Sequence, residues 1–130
     1  MAVVRHTSPH ISIYRKQITS VMSILHRITG VAMYAGTVVL IAFLLVVAYD
    51  PQNFEQMREL LASPVGKILL FGWSYAFFYH LLNGVRHLFW DIGKGFDMDS
   101  VNRTGVLAII ASIALTIIAW CIAYQNVGGL

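Results

Sequence analysis

The sequence is poor in charged residues and in cysteine. Charged residues make up 12% of the 130 residues, whereas about 25% is usual in soluble domains. Hydrophobic residues make up 58%, which is more apolar surface than a water-soluble fold of this length can hide. The single cysteine, Cys121, excludes an intrachain disulfide and a metal cluster held by cysteines. Lipid is therefore expected to be the solvent for much of the chain.

Two further absences narrow the class of protein. The net charge is only +3, and no basic cluster is dense enough to predict nucleic-acid binding. The first 20 residues contain no apolar core, so we expect no cleavable signal peptide. They do not resemble a long transit peptide rich in Arg and Ser either. A bacterial cytoplasmic (inner) membrane is the simplest expected location.

Three long uncharged segments are present. Residues 28–49, 68–85 and 104–124 contain 22, 18 and 21 residues without a charge. A helix needs about 20 apolar residues to cross a bilayer. The sequence predicts an all-α integral membrane bundle, a single domain of residues 1–130. Its three transmembrane helices are expected at about residues 24–50, 64–92 and 102–126, after an N-terminal cytoplasmic segment of residues 1–22.

The predicted spans have local boundary signals. Asp50-Pro51 ends the first span, since proline disfavours helical geometry in the residue before it. Ser63-Pro64 has the pattern of an N-cap followed by proline at the first helical position. Asp97, Asp99 and Ser100 precede the third span, where their side chains can cap free backbone N–H groups. A short helix on the membrane surface is expected between the first two spans, because three apolar residues fall on one helical face: Phe54, Met57 and Leu61.

The Lys and Arg residues are distributed unequally across the predicted membrane. Two, Arg58 and Lys67, lie on one side. Seven lie on the other side: Arg5, Arg15, Lys16, Arg27, Arg86, Lys94 and Arg103. The positive-inside rule therefore predicts a cytoplasmic N-terminus and a periplasmic C-terminus.

His80 stands near the middle of the second span, roughly 17 Å from either end at 1.5 Å per residue. An ionisable group at that depth is a functional candidate. It can hydrogen-bond to a neighbouring helix or ligate a metal. Gly84, His87 and Asp91 follow His80 on the same helical face. The missing side chain of Gly84 would let a flat macrocycle approach the backbone.

Two basic residues lie one to two turns closer to the cytoplasm than His80. Arg86 and His87 could meet the propionates of a haem, since Arg matches carboxylate geometry. Alternatively, His87 and Asp91 are polar only because they lie at the end of the helix that meets the membrane–water interface.

A second candidate site lies at the cytoplasmic entry of the first span. Ser23 and Arg27 are four residues apart and share a helical face. A hydroxyl and a guanidinium at the hydrocarbon boundary can donate hydrogen bonds to quinone carbonyls. Alternatively, Arg27 reaches lipid phosphates and Ser23 bonds to its own backbone.

A six-coordinate haem needs two axial ligands. We place His26 at the membrane boundary and His80 near the middle, so the two are expected at different depths. His87 lies on the same helix face as His80, about 10 Å along it. The second ligand is therefore expected from another chain, in a hetero-oligomer or a homodimer.

Two segments resemble signatures of the succinate dehydrogenase cytochrome b subunit, a membrane anchor of respiratory complex II. They are Ser23-Ile-Leu-His-Arg-Ile-Thr-Gly30 and His80-Leu-Leu-Asn-Gly-Val-Arg-His-Leu-Phe-Trp-Asp-Ile-Gly93. The upstream stretch Ser8-Pro-His-Ile-Ser-Ile-Tyr14 is similar to alphaproteobacterial and mitochondrial members. The resemblance covers the whole chain, including helix number and spacing.

The resemblance implies an anchor with no catalytic residue and no succinate site of its own. His80 would be one axial ligand of haem b, shared with a second membrane anchor. Ser23 and Arg27 would line the ubiquinone site. His26, Arg27 and His87 would lie near the haem propionates, and Asp91 would be structural or linked to protons.

The same resemblance implies the partners and the pathway. A flavoprotein subunit would oxidise succinate in the tricarboxylic acid cycle. An iron–sulfur subunit would pass the electrons to ubiquinone in the respiratory chain.

Three alternative functions follow from the sequence. A fumarate reductase anchor would run the reaction backwards. A small proton-coupled transporter would be expected to carry a membrane-embedded carboxylate, and none of the three uncharged segments contains one. A haem-free structural anchor is disfavoured by the polar stripe around His80.

Overall fold

The computed structural model describes residues 18–95 and 97–128. This part of the chain forms four helices and no strand. They are α1 (Ile18–Tyr49), α2 (Pro51–Ala62), α3 (Pro64–Asp91) and α4 (Met98–Val127). The predicted all-α class is confirmed. Most of the predicted N-terminal cytoplasmic segment, residues 1–22, lies outside the described residues.

Three helices are long and apolar enough to cross a membrane. The candidate spans are Ser20–Tyr49, Pro64–Asp91 and Met98–Val127, of 30, 28 and 30 residues. Helices of this length extend roughly 42–45 Å, more than a hydrocarbon core of about 30 Å requires. α1 is already helical at Ile18, the first described residue, whereas the sequence predicts its span from about residue 24. The helix continues past its apolar segment because intrahelical hydrogen bonds do not depend on lipid.

The distribution of polarity is inverted relative to a soluble protein. The largest side chains with almost no exposure include Asn83, Ser112 and Thr116. Large apolar side chains such as Ile41, Leu69 and many others point outward. This pattern is expected for a bundle whose outer surface contacts lipid, because lipid gives apolar side chains no reason to turn inward.

Side-chain caps begin three of the helices. Asp50 accepts a hydrogen bond from the Asn53 amide at 3.3 Å, and Ser63 accepts one from the Gly66 amide at 3.1 Å. Asp97 accepts from the backbone N and the hydroxyl of Ser100, at 3.1 and 2.8 Å. These bonds hold the pKa of the Asp97 carboxyl below its usual range, and the bond from the Ser100 hydroxyl has the largest effect. The predicted N-cap at Ser63 is confirmed, with proline at the start of α3.

The short helix α2 turns its apolar residues toward the bundle. Phe54, Met57 and Leu61 are half-buried, while most of its other residues are exposed. The ring of Phe54 lies 6.0 Å from that of Phe43 on α1. The sequence pattern therefore identifies the buried face correctly, and the position of α2 at the membrane surface stays a prediction.

α3 packs between α1 and α4. Trp73 fixes the contact with α1, because its indole N–H donates to the Ala32 carbonyl at 3.2 Å. A Cβ at Gly36 would overlap this indole, so glycine permits the close approach. The face of α4 toward the bundle interior includes small buried residues at helical spacing: Gly105, Ala108, Ser112 and Thr116. Small residues of this kind let membrane helices pack closely.

Candidate functional site

His80 lies in the interior of α3 and is half-buried against α1. Its Nδ1 is 3.1 Å from the hydroxyl oxygen of Thr29. A Cβ added at Gly30 would stand 3.3 Å from Cε1 of the same ring. The backbone of α1 therefore borders the imidazole along one edge.

The ring of His26 stacks on that of His80. Their centroids are 4.1 Å apart and their planes differ by 4°. The expectation that the two residues lie at different depths is wrong. It placed His26 at the end of a span, whereas α1 is helical from Ile18 in the described chain and His26 lies two turns further on. The antiparallel packing of α1 and α3 then brings the His26 ring into contact with the rings of both His80 and His87.

His87 completes a group of three imidazoles. Its ring centroid is 5.3 Å from that of His26 and 4.9 Å from that of Trp90. We refer to His26, His80 and His87 as the histidine cluster. The structure thus brings together three site residues that the sequence placed on two helices.

The histidine cluster has hydrogen-bonding capacity that the described residues do not satisfy. Nδ1 of His26 is buried and has no partner there. Thr29 is the one hydrogen-bond partner of His80 in residues 18–95 and 97–128, so Nε2 is left available. Beside the cluster, a Cβ at Gly84 would meet nothing within 4 Å. In the same part of the chain, no three His, Cys, Asp or Glu side chains are arranged to hold a metal ion alone.

These features fit a haem whose iron takes one ligand from this chain. Nε2 of His80 is an accessible imidazole nitrogen, and its other nitrogen has a hydrogen-bond partner, as is usual for a metal-ligating histidine. The open space at Gly84 can accept the edge of a flat ring. Stacked imidazoles 4.1 Å apart leave no room for an iron between them, so His26 does not oppose His80 in this arrangement.

Ser23 and Arg27 flank His26 on α1, and both are exposed. Neither side chain has a hydrogen-bond or ion-pair partner among the described residues. Both are therefore accessible to a ligand or to a neighbouring subunit. Asp91 is exposed at the last residue of α3.

Arg86 is buried, and its guanidinium bonds within the bundle. It donates to the Asn83 side chain at 2.6 Å, to the Thr104 hydroxyl at 3.1 Å and to the Val101 carbonyl at 3.1 Å. We refer to Asn83, Arg86, Val101 and Thr104 as the arginine network. The Arg86 guanidinium also lies 4.6 Å from the ring of Trp90. These contacts support an interhelical role for Arg86, and its contact with haem propionates stays a prediction.

Sequence analysis did not identify several residues that contact the site: Thr29, Met22, and Val101 and Thr104 on α4. Met22 is almost fully buried and its carbonyl accepts from the Tyr79 hydroxyl at 3.2 Å. One signal for Thr29 was present, because it lies three residues after His26 and so on the same side of α1. Its pairing with His80 depends on the vertical offset of two helices, which the sequence does not display.

A cavity of about 550 Å³ lies at the other end of the bundle. Its walls include Phe43, Phe54 and Trp120, with the cations Arg58 and Lys67 among the lining residues. It contains none of the predicted site residues.

Known proteins match the chain along most of its length. The family model described as succinate dehydrogenase/fumarate reductase transmembrane subunit matches residues 1–119. The succinate dehydrogenase cytochrome b556 subunit of Rickettsia felis is 49% identical over 116 residues, which are 89% of this chain and 90% of that protein. The protein of the same name from Paracoccus denitrificans is 35% identical over 114 residues, 88% of each chain.

A mitochondrial relative is also similar. The succinate dehydrogenase cytochrome b560 subunit of Sus scrofa is 41% identical over 116 residues, which are 84% of this chain and 66% of that protein.

The three membrane-length helices define a multi-pass membrane protein. The matches are extensive enough to identify its family. The chain belongs to the succinate dehydrogenase/fumarate reductase transmembrane subunits, as the signature segments predicted.

Proposed function

We propose that this chain is a membrane anchor of succinate:quinone oxidoreductase that supplies one axial ligand to haem b and part of the ubiquinone site. The observation that carries the proposal is the His80 imidazole. It lies inside a membrane-length helix, has Thr29 at Nδ1 and leaves Nε2 accessible. The names of the relatives, cytochrome b556 and b560 subunits, support a b-type haem.

The second ligand of a bound haem would come from another membrane anchor. Within the described residues, the nearest imidazole to His80 is stacked face to face on it and cannot oppose it across an iron. His87 lies on the cytoplasmic side of His80 under the predicted orientation, and the His26 ring contacts both. This position supports their proposed place near the haem propionates, together with Arg27. The unpartnered Nδ1 of His26 is a candidate donor to a propionate.

Ser23 and Arg27 form this chain's part of the ubiquinone site. Both side chains are exposed, have no partner in the described chain and lie one turn apart on α1. The Ser23 hydroxyl donates a hydrogen bond to a quinone carbonyl. The Arg27 guanidinium stabilises negative charge that develops on the quinone during reduction, as preorganised donors do in other sites.

Succinate is oxidised in the flavoprotein subunit, and electrons reach ubiquinone through the iron–sulfur subunit. This chain holds both partners at the cytoplasmic face of the bacterial inner membrane and contributes no group that touches succinate. Haem b, when bound, supplies a one-electron redox centre next to the quinone site. We propose the direction of succinate oxidation, because the relatives described above are named succinate dehydrogenases. Fumarate reduction by quinol would use the same residues of this chain.

The haem assignment is tested by the reduced-minus-oxidised absorption spectrum of the complex purified gently from native membranes. We expect His80→Leu to remove or alter the b-type bands. The matched control is Phe77→Leu, which replaces an exposed ring on the same helix and is expected to keep the bands. Bands that survive His80→Leu unchanged would show that another residue ligates the iron.

The quinone assignment is tested by comparing two electron acceptors. We expect Ser23→Ala and Arg27→Leu to lower ubiquinone reductase activity, by about tenfold or more for Arg27→Leu if one preorganised donor is lost. Succinate oxidation with a soluble dye should survive in both variants. Arg103→Leu is the control, since Arg103 is also exposed and at the same end of the bundle. Normal ubiquinone turnover in both variants would refute the assignment.

A further inference from the structure

Thr29 is a buried hydroxyl at the contact between α1 and the His80 ring. It is 8% exposed. Its Oγ1 is 2.9 Å from the carbonyl oxygen of His26, on its own helix, and 3.1 Å from Nδ1 of His80, on α3. It therefore lies between the backbone of α1 and the imidazole of α3.

The two distances fit an arrangement in which Thr29 donates to one partner and accepts from the other. A threonine hydroxyl has one hydrogen to donate and two lone pairs that accept. The His26 carbonyl can only accept, and a hydroxyl hydrogen directed to it leaves a lone pair of Oγ1 facing His80. The contact with His80 is then a hydrogen bond only if Nδ1 carries the proton and donates to Oγ1. This tautomer has an unprotonated Nε2, the form of imidazole that binds a metal.

The ring is also restrained on other sides. The backbone at Gly30 borders its Cε1 edge, where an added Cβ would stand at 3.3 Å. The stacked ring of His26 covers one face at 4.1 Å between centroids. Three residues of one α1 turn therefore limit rotation of the His80 imidazole, and Thr29 is the one that makes a directional bond to it.

We propose that Thr29 is a positioning residue for the haem ligand. It fixes the tautomer and orientation of the His80 ring. Because its Oγ1 accepts a hydrogen bond from Nδ1–H, Nε2 becomes a stronger electron donor. This inference rests on the proposed function, because it requires His80 to ligate haem iron. Hydrogen bonds from the outer nitrogen of a ligating histidine raise its basicity, which favours the oxidised iron and lowers the haem midpoint potential.

The test compares Thr29→Val with Thr29→Ser in the complete membrane complex. Valine keeps the shape of threonine without the hydroxyl, whereas serine keeps the hydroxyl. We expect Thr29→Val to raise the midpoint potential and to reduce haem affinity by about tenfold or more, the usual effect of losing such a partner. Thr29→Ser should restore the wild-type potential and haem content. The readouts are haem per complex, a potentiometric titration of the b-type bands and their low-temperature spectrum.

Thr37→Val is the matched control, since among the described residues the Thr37 hydroxyl bonds only to the Met33 carbonyl of its own helix, at 2.8 Å. It should leave the potential and haem content unchanged. If Thr29→Val does not assemble, Thr29→Ala removes the same hydroxyl without adding bulk and should raise the potential in the same way.

The outcomes separate this inference from the proposed function. Unchanged b-type bands in His80→Leu would refute the haem assignment itself. Loss of the bands in His80→Leu, together with a wild-type potential and haem content in Thr29→Val, would overturn only the role of Thr29. Equal shifts of the midpoint potential in Thr29→Val and Thr29→Ser would also overturn the role of Thr29, because they would show that the hydroxyl does not set the potential.

Discussion

Two groups of polar side chains on α3 share the same bundle but differ in how their hydrogen bonds are satisfied. The arginine network connects α3 to α4, and all three bonded nitrogens of Arg86 have oxygen partners within 3.1 Å. The histidine cluster faces α1, and it leaves Nδ1 of His26 buried without a partner in the described chain. An unsatisfied buried polar group is costly. A network that is already complete supports the fold, whereas an incomplete one is the better candidate for a ligand site.

The largest expected effect follows from breaking the complete network. Arg86→Met keeps the length of the side chain but leaves the Asn83 side-chain oxygen without its partner, while the Val101 carbonyl still accepts from the Thr104 hydroxyl. We expect the free energy of unfolding of the chain to fall by about 1–3 kcal/mol, because one buried acceptor is left unsatisfied. The measurement is SDS titration in mixed micelles, with the amount of chain retained in membranes as a second readout.

The control for this prediction is Arg103→Met. Arg103 is an exposed arginine near the start of α4, and its replacement should change the free energy of unfolding by less than about 0.5 kcal/mol. Equal losses in the two variants would mean that burial and bonding of Arg86 do not stabilise the bundle.

The smaller expected effect concerns the incomplete network. His26→Leu removes a stacked ring worth about 0.5–1.5 kcal/mol. It also removes an unpaired buried nitrogen that costs about 1–3 kcal/mol. The two terms nearly cancel, so we expect the free energy of unfolding of the haem-free chain to change little or to rise slightly. The same SDS titration measures it, with Arg27→Leu as a neighbouring exposed control.

If His26→Leu lowered the free energy of unfolding as much as Arg86→Met does, the histidine cluster would stabilise the fold by itself, contrary to this prediction. In the complete complex, His26→Leu should instead perturb the b-type spectrum or the ubiquinone turnover.

The site was predicted unevenly from the sequence. His80, Gly84 and His87 share a helical face, so their proximity follows from the helical repeat alone. Ser23 and Arg27 were found in the same way. His26 was placed at the wrong depth, and Thr29 was overlooked, because each depends on a contact between α1 and α3. Arg86 was expected near propionates, but its buried contacts are with α4 and its own helix.

Three membrane-length helices and the N-cap at Ser63 could be predicted from the amino-acid sequence alone. These features are local, because a backbone in lipid must form its own hydrogen bonds and the bilayer fixes the length required. Which polar side chains of different helices contact each other depends on the tertiary packing. The Gly36–Trp73 contact and the small-residue face of α4 fix the offset and rotation of the helices. A shift of one turn, about 5.4 Å, would separate His26 and Thr29 from His80 without changing any local pattern.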